Sequence, residues 1–173
     1  VNASVFENYF WYKSPENGKN KMPVEVKIAF KNTKENNVGM PLPQGTIRIY
    51  KQDQAKSLQF IGEDSIGHTP KDEELSLKVG EAFDVVAESR QIDFRQIDAW
   101  TFESEWEISI RNHKQENIVV AVIEPVSFGL SNFSVLSSTF PYKKLNATTV
   151  RFDVPVQKDK EAVLTYRVRI RRG

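Results

Sequence analysis

The residues of this chain best suited to chemistry are one histidine and a group of acids in the same polar segment. His68 lies in this segment with Asp64, Asp72, Glu73 and Glu74. An imidazole beside carboxylates can bind a borderline metal ion, and histidine titrates near neutral pH, so a metal site or a general base is one interpretation. The second histidine, His113, is far away in sequence, and neither His-x-x-x-His nor Asp-x-Asp-x-Asp spacing occurs. We therefore favour a loop held together by side-chain hydrogen bonds to the backbone, and predict no bound metal.

Nucleophilic and phosphate-transfer chemistry have no matching motif in the sequence. Gly-x-Ser-x-Gly and the glycine-rich phosphate-binding loops are absent, and there is no cysteine to act as a thiol nucleophile or zinc ligand. Acid pairs such as Glu103 with Glu105 suggest a glycosidase, but such pairs are common on solvated strand faces. We therefore predict a protein without catalytic residues or cofactors, with a hydrolase as the less favoured alternative.

Four arginines form a basic group near the end of the chain, Arg167, Arg169, Arg171 and Arg172. The first three are two residues apart and would share one face of a strand. Such a face could dock a polyanion, for example an acidic polysaccharide or a lipid headgroup. It could also be a charged outer face that discourages edge-to-edge pairing of strands, with Glu105 and Glu107 of another strand pairing across to it. We favour this second interpretation and keep Arg167 and Arg169 as candidate interaction residues.

Aromatic side chains raise sugar stacking as a further possibility. They occur at Tyr9, Phe10, Trp11 and Tyr12 near the beginning of the chain, and at Trp100 and Trp106 further on. Stacking needs flat, exposed rings, whereas aromatic residues at alternating positions usually lie in a core or at a domain junction. We favour the core or junction interpretation and keep Trp11 as a candidate interaction residue.

The composition is that of an ordinary folded domain. The 173 residues are 39% hydrophobic and 27% charged, with a formal net charge of +1. This charge gives no overall field to attract nucleic acid, so we predict no nucleic-acid partner. No apolar run approaches the roughly 20 residues of a membrane-spanning helix.

The strongest pattern in the chain is an apolar residue at every second position, clearest over Val24–Lys31 and Leu164–Arg171. A period of two puts one set of side chains on each face of a strand, one for a core and one for water. Similar runs recur along the chain and predict roughly ten or eleven strands, with one helical turn at most. The predicted fold is all-β, an antiparallel β-sandwich of immunoglobulin-like type with an additional N-terminal strand.

Several local predictions are specific enough to be tested. Turn formers predict a hairpin of Thr46–Gln52 with Ser57–Gly62, followed by a polar loop over residues 64–72. A Gly-Glu pair is predicted to end a strand at Glu74–Val79 before a longer, bent strand over Phe83–Phe94. The predicted core comprises Val26, Ile28, Phe30, Ile47, Phe60, Leu75, Leu77, Val120, Val122, Phe152, Val154, Tyr166 and Val168.

Several stretches, in their order along the chain, resemble one bacterial family. They are Gly39–Tyr50 with its Pro-Leu-Pro-Gln-Gly, Gly62–Glu74, Gly80–Val85, Arg90–Phe94, Arg111–Lys114, Ser137–Tyr142 and Leu164–Arg169. This set is similar to domain of unknown function 4139, found at the C-terminal end of mucoidy-inhibitor-like proteins. The resemblance implies an all-β domain, usually exported, often downstream of an N-terminal β domain and a coiled coil, with no agreed catalytic residues. Arg90, within one of these stretches, is a further candidate interaction residue.

The expected organisation is an N-terminal strand and linker over residues 1–21, left from an upstream region, and a sandwich domain over 22–173. The chain begins at Val1 without an initiator methionine or a signal-peptide pattern, so we expect a piece of a longer polypeptide. We expect a non-catalytic structural, protein-interaction or adhesion module of an exported bacterial protein, in the periplasm, cell envelope or extracellular space. The expected partners are upstream domains of the same chain and envelope proteins or polysaccharide. A glycan- or polyanion-binding domain is the alternative.

Overall fold

Strands dominate the structure, a computed structural model that describes residues 7–13, 20–126 and 132–172, with side chains for 23–126 and 132–172. The strands of these residues are β1 (Glu7–Lys13), β2 (Asn20–Lys31), β3 (Gly45–Gln52), β4 (Leu58–Ile66), β5 (Glu74–Gln96), β6 (Thr101–Asn112), β7 (Ile118–Pro125), β8 (Asn132–Ser138), β9 (Tyr142–Lys144), β10 (Thr149–Val156) and β11 (Lys160–Arg171). One turn of 3-10 helix covers Lys34–Asn36. The predicted all-β class is confirmed for the described residues.

Nine of the strands form one sheet in the order β8-β11-β6-β5-β2-β1-β7-β10-β9, and β3 pairs with β4 in a second sheet. β11 pairs antiparallel with β6 along its whole length, from Lys160 opposite Asn112 to Arg171 opposite Thr101. β1 and β7 pair in parallel. The arrangement is consistent with a β-sandwich, while the immunoglobulin-like connectivity remains a prediction. Helices long and apolar enough to cross a membrane are absent from the described part of the chain.

The chain divides into two compact units, one built mainly on Glu25–Glu81 and the other on Ala82–Gly173 together with Phe10–Val24. In the first unit, Phe30, Leu75 and Leu77 form a buried cluster. The partly buried residues packed against this cluster are Val38, Leu42, Ile47, Ile49 and Ile66. The first unit therefore has an apolar core of its own, to which β3 and β4 contribute their inner faces.

A fully buried asparagine, Asn32, fixes two loops of the first unit. Its Nδ2 donates to the main-chain oxygens of Met40 and Pro70 at 2.8 Å each, and its Oδ1 accepts from the N–H of Gly39 at 2.9 Å. A buried amide with all of these partners satisfied specifies one loop arrangement, because any other would leave polar groups unpaired.

The second unit has a larger core. Its fully buried apolar side chains include Val85, Ile108, Ile110, Val120, Val122, Val150, Phe152, Val154 and Leu164. The ring of Phe152 lies 5.2 Å from that of Tyr166, whose hydroxyl donates to Glu124 at 2.5 Å. The period-two pattern therefore predicted the buried face of β7, β10 and β11 correctly.

The predicted break between Glu74–Val79 and Phe83–Phe94 is wrong. β5 is one strand of 23 residues that continues through Gly80 and Glu81. Its neighbours in the sheet are β2 on one side and β6 on the other. Hydrogen bonding to these neighbours outweighs the turn preference of a single glycine.

The predicted loop over residues 64–72 is also partly wrong, because β4 continues to Ile66. The last three residues of β4 pair with Gly45–Ile47. The carboxylate of Asp64 accepts from the main-chain N–H of Lys78 at 2.7 Å. This bond to a neighbouring main chain holds Asp64 in a strand despite the low strand preference of aspartate.

Candidate functional site

The outer side of the β3–β4 sheet carries three exposed apolar residues, Tyr50, Leu58 and Phe60, which we call the aromatic face. Tyr50 is opposite Phe60 in the register, and their ring centroids are 5.7 Å apart in an edge-to-face arrangement. The two residues are 49% and 55% exposed, and Leu58, two positions before Phe60, is also exposed. Because a group of large apolar side chains is seldom left in water, the aromatic face is a candidate contact surface.

The prediction that Phe60 lies in the core is wrong, and a β-bulge explains why. Ile49 is opposite Gly62 while Tyr50 is opposite Phe60, so Ile61 is an extra residue on β4. One extra residue reverses the alternation of side chains along a strand. Ile49 therefore stays packed on the core while Phe60 joins Tyr50 on the outer side.

Gly62 allows β4 to lie unusually close to β5 within the first unit. A Cβ atom at this position would lie 2.4 Å from the main-chain oxygen of Val79, which is too close for any other residue without a shift of the backbone. The hydrogen bond from Lys78 to Asp64 ties the same two strands together. The aromatic face is therefore carried by a sheet that is fixed to its support.

Charged groups border the aromatic face. Arg48 is opposite Glu63, and the Arg48 Nε lies 3.4 Å from the Glu63 Oε2. These two residues, with Tyr50, Phe60 and Gly62, line an open depression of about 510 Å³. The rings offer apolar and stacking contacts, and the guanidinium, carboxylate and phenol offer hydrogen bonds. This set of groups can make apolar, stacking and polar contacts to a partner on one surface.

His68 lies in an exposed position, where its Nδ1 accepts from the main-chain N–H of Gln44 at 3.4 Å. Asp64 instead faces the main chain of β5. No group of three or more histidine, aspartate or glutamate residues within the described ranges is placed to hold a metal ion. The structure thus gives His68 a side-chain contact to the backbone of a different loop, the one that precedes β3.

The structure brings Arg90, Arg167 and Arg169 together with acids on one side of β5, β6 and β11. Glu103, Glu105 and Glu107 occupy every second position of β6, opposite Arg169, Arg167 and Arg90 respectively. We call this set the charge ladder. Cross-strand pairs of opposite charge are a common source of sheet stability. Glu103 is buried, so its pairing with Arg169 also offsets the cost of removing a carboxylate from water.

Arg167 is the centre of the charge ladder. Its Nη2 lies 2.8 Å from the Asp93 Oδ2 and 2.5 Å from the Glu105 Oε2, and the Arg169 Nη2 lies 2.6 Å from the Glu103 Oε1. Hydrogen bonds to Asp93 and then to Glu105 raise the pKa of Arg167, and the hydrogen bond from Arg167 lowers the pKa of Asp93. The predicted pairing of Glu105 with the basic strand is confirmed. Both arginines are engaged by acids of their own sheet.

Sequence reasoning assigned one partner incorrectly and missed another. Glu107 pairs with Arg90, at 2.7 Å, rather than with the last strand. Asp93 was missed because the register between β5 and β6 shifts at Ile92, which brings Asp93 to the same side as Arg90, three positions earlier. The partner of Arg169, Glu103, could have been found, since it lies two positions before Glu105.

The tryptophans differ in their surroundings. Trp106 is half-buried and its Nε1 donates to the Ser104 hydroxyl at 3.1 Å. Trp100 is exposed at the turn between β5 and β6 and does not lie in a core. The backbone of Trp11 pairs with Ala121 of β7, but its side chain lies outside the described residues.

Comparison of the chain with protein-family models, curated proteins and solved structures gave no match. The resemblance to domain of unknown function 4139 therefore rests on the motifs quoted above and remains a prediction.

Proposed function

We propose that the protein is a non-catalytic interaction module at the C-terminal end of a larger exported bacterial protein, and that its aromatic face binds another protein of the cell envelope. The observation that carries the proposal is the exposed pair of Tyr50 and Phe60 on a sheet that lies close against β5 and is hydrogen-bonded to it. The resemblance described above supports the exported location and the absence of catalysis.

The composition of the aromatic face supports a protein partner. Protein interfaces have an apolar centre, in which aromatic residues are enriched, and a polar rim. Tyr50, Leu58 and Phe60 supply such a centre, and Arg48 with Glu63 supplies charged groups beside it. Because Gly62 and Asp64 already fix the sheet, little conformational entropy is lost when a partner binds.

A site-specific photo-crosslinker tests the proposal. Placed at Phe60 in the full chain and mixed with isolated cell envelopes, it should give a discrete crosslinked product that an excess of unlabelled protein removes. The same group placed at Phe83, which is 95% exposed in the second unit, is the matched control and should give no such product. A product of equal yield from both positions, or none from Phe60, would count against the aromatic face as the binding surface.

A glycan is the second candidate partner, favoured by one observation. The depression between Tyr50 and Phe60 combines exposed rings with Arg48 and Glu63, and sugar binding commonly uses an aromatic ring beside hydrogen-bonding groups in a concave site. A glycan array probed with the wild-type chain and with a Tyr50→Ser/Phe60→Ser variant separates the candidates. Binding that the variant loses would replace the protein partner by a sugar.

A further inference from the structure

The turn between β5 and β6 exposes apolar side chains in the second unit. Ile97 and Trp100 in the turn are 48% and 63% exposed, and Phe94 near the end of β5 is 58% exposed. Phe94 stacks on Phe102 of β6 with ring centroids 5.9 Å apart. We call these four residues the hairpin tip. Ile97 and Trp100 are too exposed to contribute much to the core of the second unit, so folding does not explain their size and character.

The turn that carries the hairpin tip is held in one conformation. The Oδ1 of Asp98 accepts from the main-chain N–H groups of Trp100 and Thr101 at 2.8 Å each. The N–H of Arg172 donates to the main-chain oxygen of Trp100, also at 2.8 Å. The hairpin tip is therefore organised before any partner binds, which lowers the entropic cost of binding.

Cations surround the hairpin tip. The guanidinium of Arg172 lies 4.8 Å from the ring centre of Phe102, and Arg171 and Arg95 are exposed on the neighbouring ends of β11 and β5. Across the part of the chain that the structure describes, none of these three arginines has a carboxylate within 4 Å. Asp98 is the acid of the turn, and Glu103, which pairs with Arg169, lies opposite Arg95 in the register. Counted together with Arg167 and Arg169 of the charge ladder, five arginines stand against the four acids Asp93, Asp98, Glu103 and Glu105, so the surroundings of the hairpin tip keep an excess of positive charge.

We propose that the hairpin tip binds the surface of an anionic phospholipid bilayer. Ile97 and Trp100 enter the boundary between headgroups and acyl chains, and Arg171 and Arg172 bind the headgroup phosphates. Tryptophan favours this boundary because its ring is apolar and its N–H is polar. The planar guanidinium of arginine binds phosphate through paired hydrogen bonds, and the charge of the lipid surface strengthens the attraction.

The hairpin tip fits a bilayer better than it fits a sugar. Sugar stacking uses the flat face of a ring and gains little from a branched aliphatic side chain such as Ile97, whereas both Ile97 and Trp100 gain from leaving water in a bilayer. Small ligands also prefer concave sites, and a hairpin turn presents its side chains outward.

Sedimentation of the full chain with lipid vesicles tests the proposal. The wild-type chain should bind vesicles that contain phosphatidylglycerol, bind vesicles of pure phosphatidylcholine weakly, and lose binding as salt is raised. An Arg171→Gln/Arg172→Gln variant should lower the partition coefficient by roughly tenfold or more, because each arginine near an anionic surface contributes about a fivefold increase. Ile97→Ser/Trp100→Ser should also abolish most of the binding. Far-ultraviolet circular dichroism checks that each variant keeps its strands.

Two further variants locate the contact. Trp100→Phe should still bind, but the blue shift of tryptophan emission that anionic vesicles cause in the wild type should be lost. Phe60→Ser, at a comparably exposed aromatic residue of the first unit, is the control and should bind vesicles as the wild type does. Phe60 belongs to the aromatic face and not to the hairpin tip. Binding of vesicles and binding through the aromatic face can therefore be lost or kept separately.

Several outcomes would overturn the proposal. They are no sedimentation with either vesicle, equal binding to neutral and anionic vesicles, and binding that the hairpin-tip variants retain. Retention on a heparin column that the arginine variant loses, without any vesicle binding, would overturn it in favour of a soluble polyanion.

Discussion

Replacing Asn32 with alanine should loosen the first unit, because this one side chain binds main-chain groups of two loops. Its amide donates to the oxygens of Met40 and Pro70 and accepts from the N–H of Gly39. Asn32 is not among the residues with a positive φ, so alanine fits its backbone, but alanine supplies none of these three hydrogen bonds. The perturbation therefore removes polar partners and leaves the apolar cluster of the first unit in place.

The expected loss of stability depends on whether water can replace each hydrogen bond that Asn32 makes. Met40 and Pro70 are exposed residues, so water can bind their oxygens, and each lost bond costs only its net value of about 0.5–1.5 kcal/mol. Gly39 is buried, and an N–H left there without a partner costs about 1–3 kcal/mol. The free energy of opening these loops should fall by about 2–6 kcal/mol in total.

Native-state hydrogen exchange measures this loss at the loops themselves. The main chains of Leu42 and Thr69 exchange two hydrogen bonds of 2.9 Å and join the same two loops. Their amide exchange should accelerate by about 30- to 20,000-fold in Asn32→Ala, since 1.4 kcal/mol corresponds to tenfold. Asn36→Ala is the matched control, because Asn36 Nδ2 donates to a single oxygen, that of Lys31, at an exposed position. An acceleration below about threefold in Asn32→Ala, or an equal one in both variants, would refute the reasoning.

Two further predictions concern the support of the aromatic face and the charge ladder. Gly62→Ala should lower the free energy of unfolding by about 1–3 kcal/mol in urea titrations, because the added Cβ meets the Val79 oxygen at 2.4 Å. Gly67→Ala, where nothing lies within 4 Å of the new Cβ, should stay within about 0.5 kcal/mol of the wild type. Asp93 has a pKa lowered by Arg167, so its contribution to stability is present above the unfolded-state pKa of about 4 and is lost as the pH falls through the folded value. The thermal midpoint of Asp93→Asn should therefore lie below that of the wild type near neutral pH, and the gap should close in acid; a gap that does not change with pH would contradict the ion pair.

Much of the fold could be predicted from residue order alone. Alternation of apolar and polar side chains identified the buried faces of β2, β10 and β11, and Val154 and Val168 are buried as expected. A strand that packs on one face needs this period, because successive side chains point to opposite sides. The pairing of Glu105 with the basic strand could be foreseen for the same reason.

The composition of the aromatic face and of the charge ladder could be seen only in the tertiary structure. The extra residues Ile61 and Ile92 each reverse the alternation of their strand, so Phe60 reaches the aromatic face and Asp93 reaches Arg167. A bulge leaves no clear signal in the sequence, because it depends on how two distant strands align their hydrogen bonds.

Local residue order therefore determined which stretches of this protein become strands and which of their faces are apolar, because a side chain's preference for water or core is intrinsic to it. Strand pairing decided that β5 continues through Gly80, which charged residues pair and which aromatic rings remain in water. These features depend on partners far away along the chain, and those partners come together only when the sheets form.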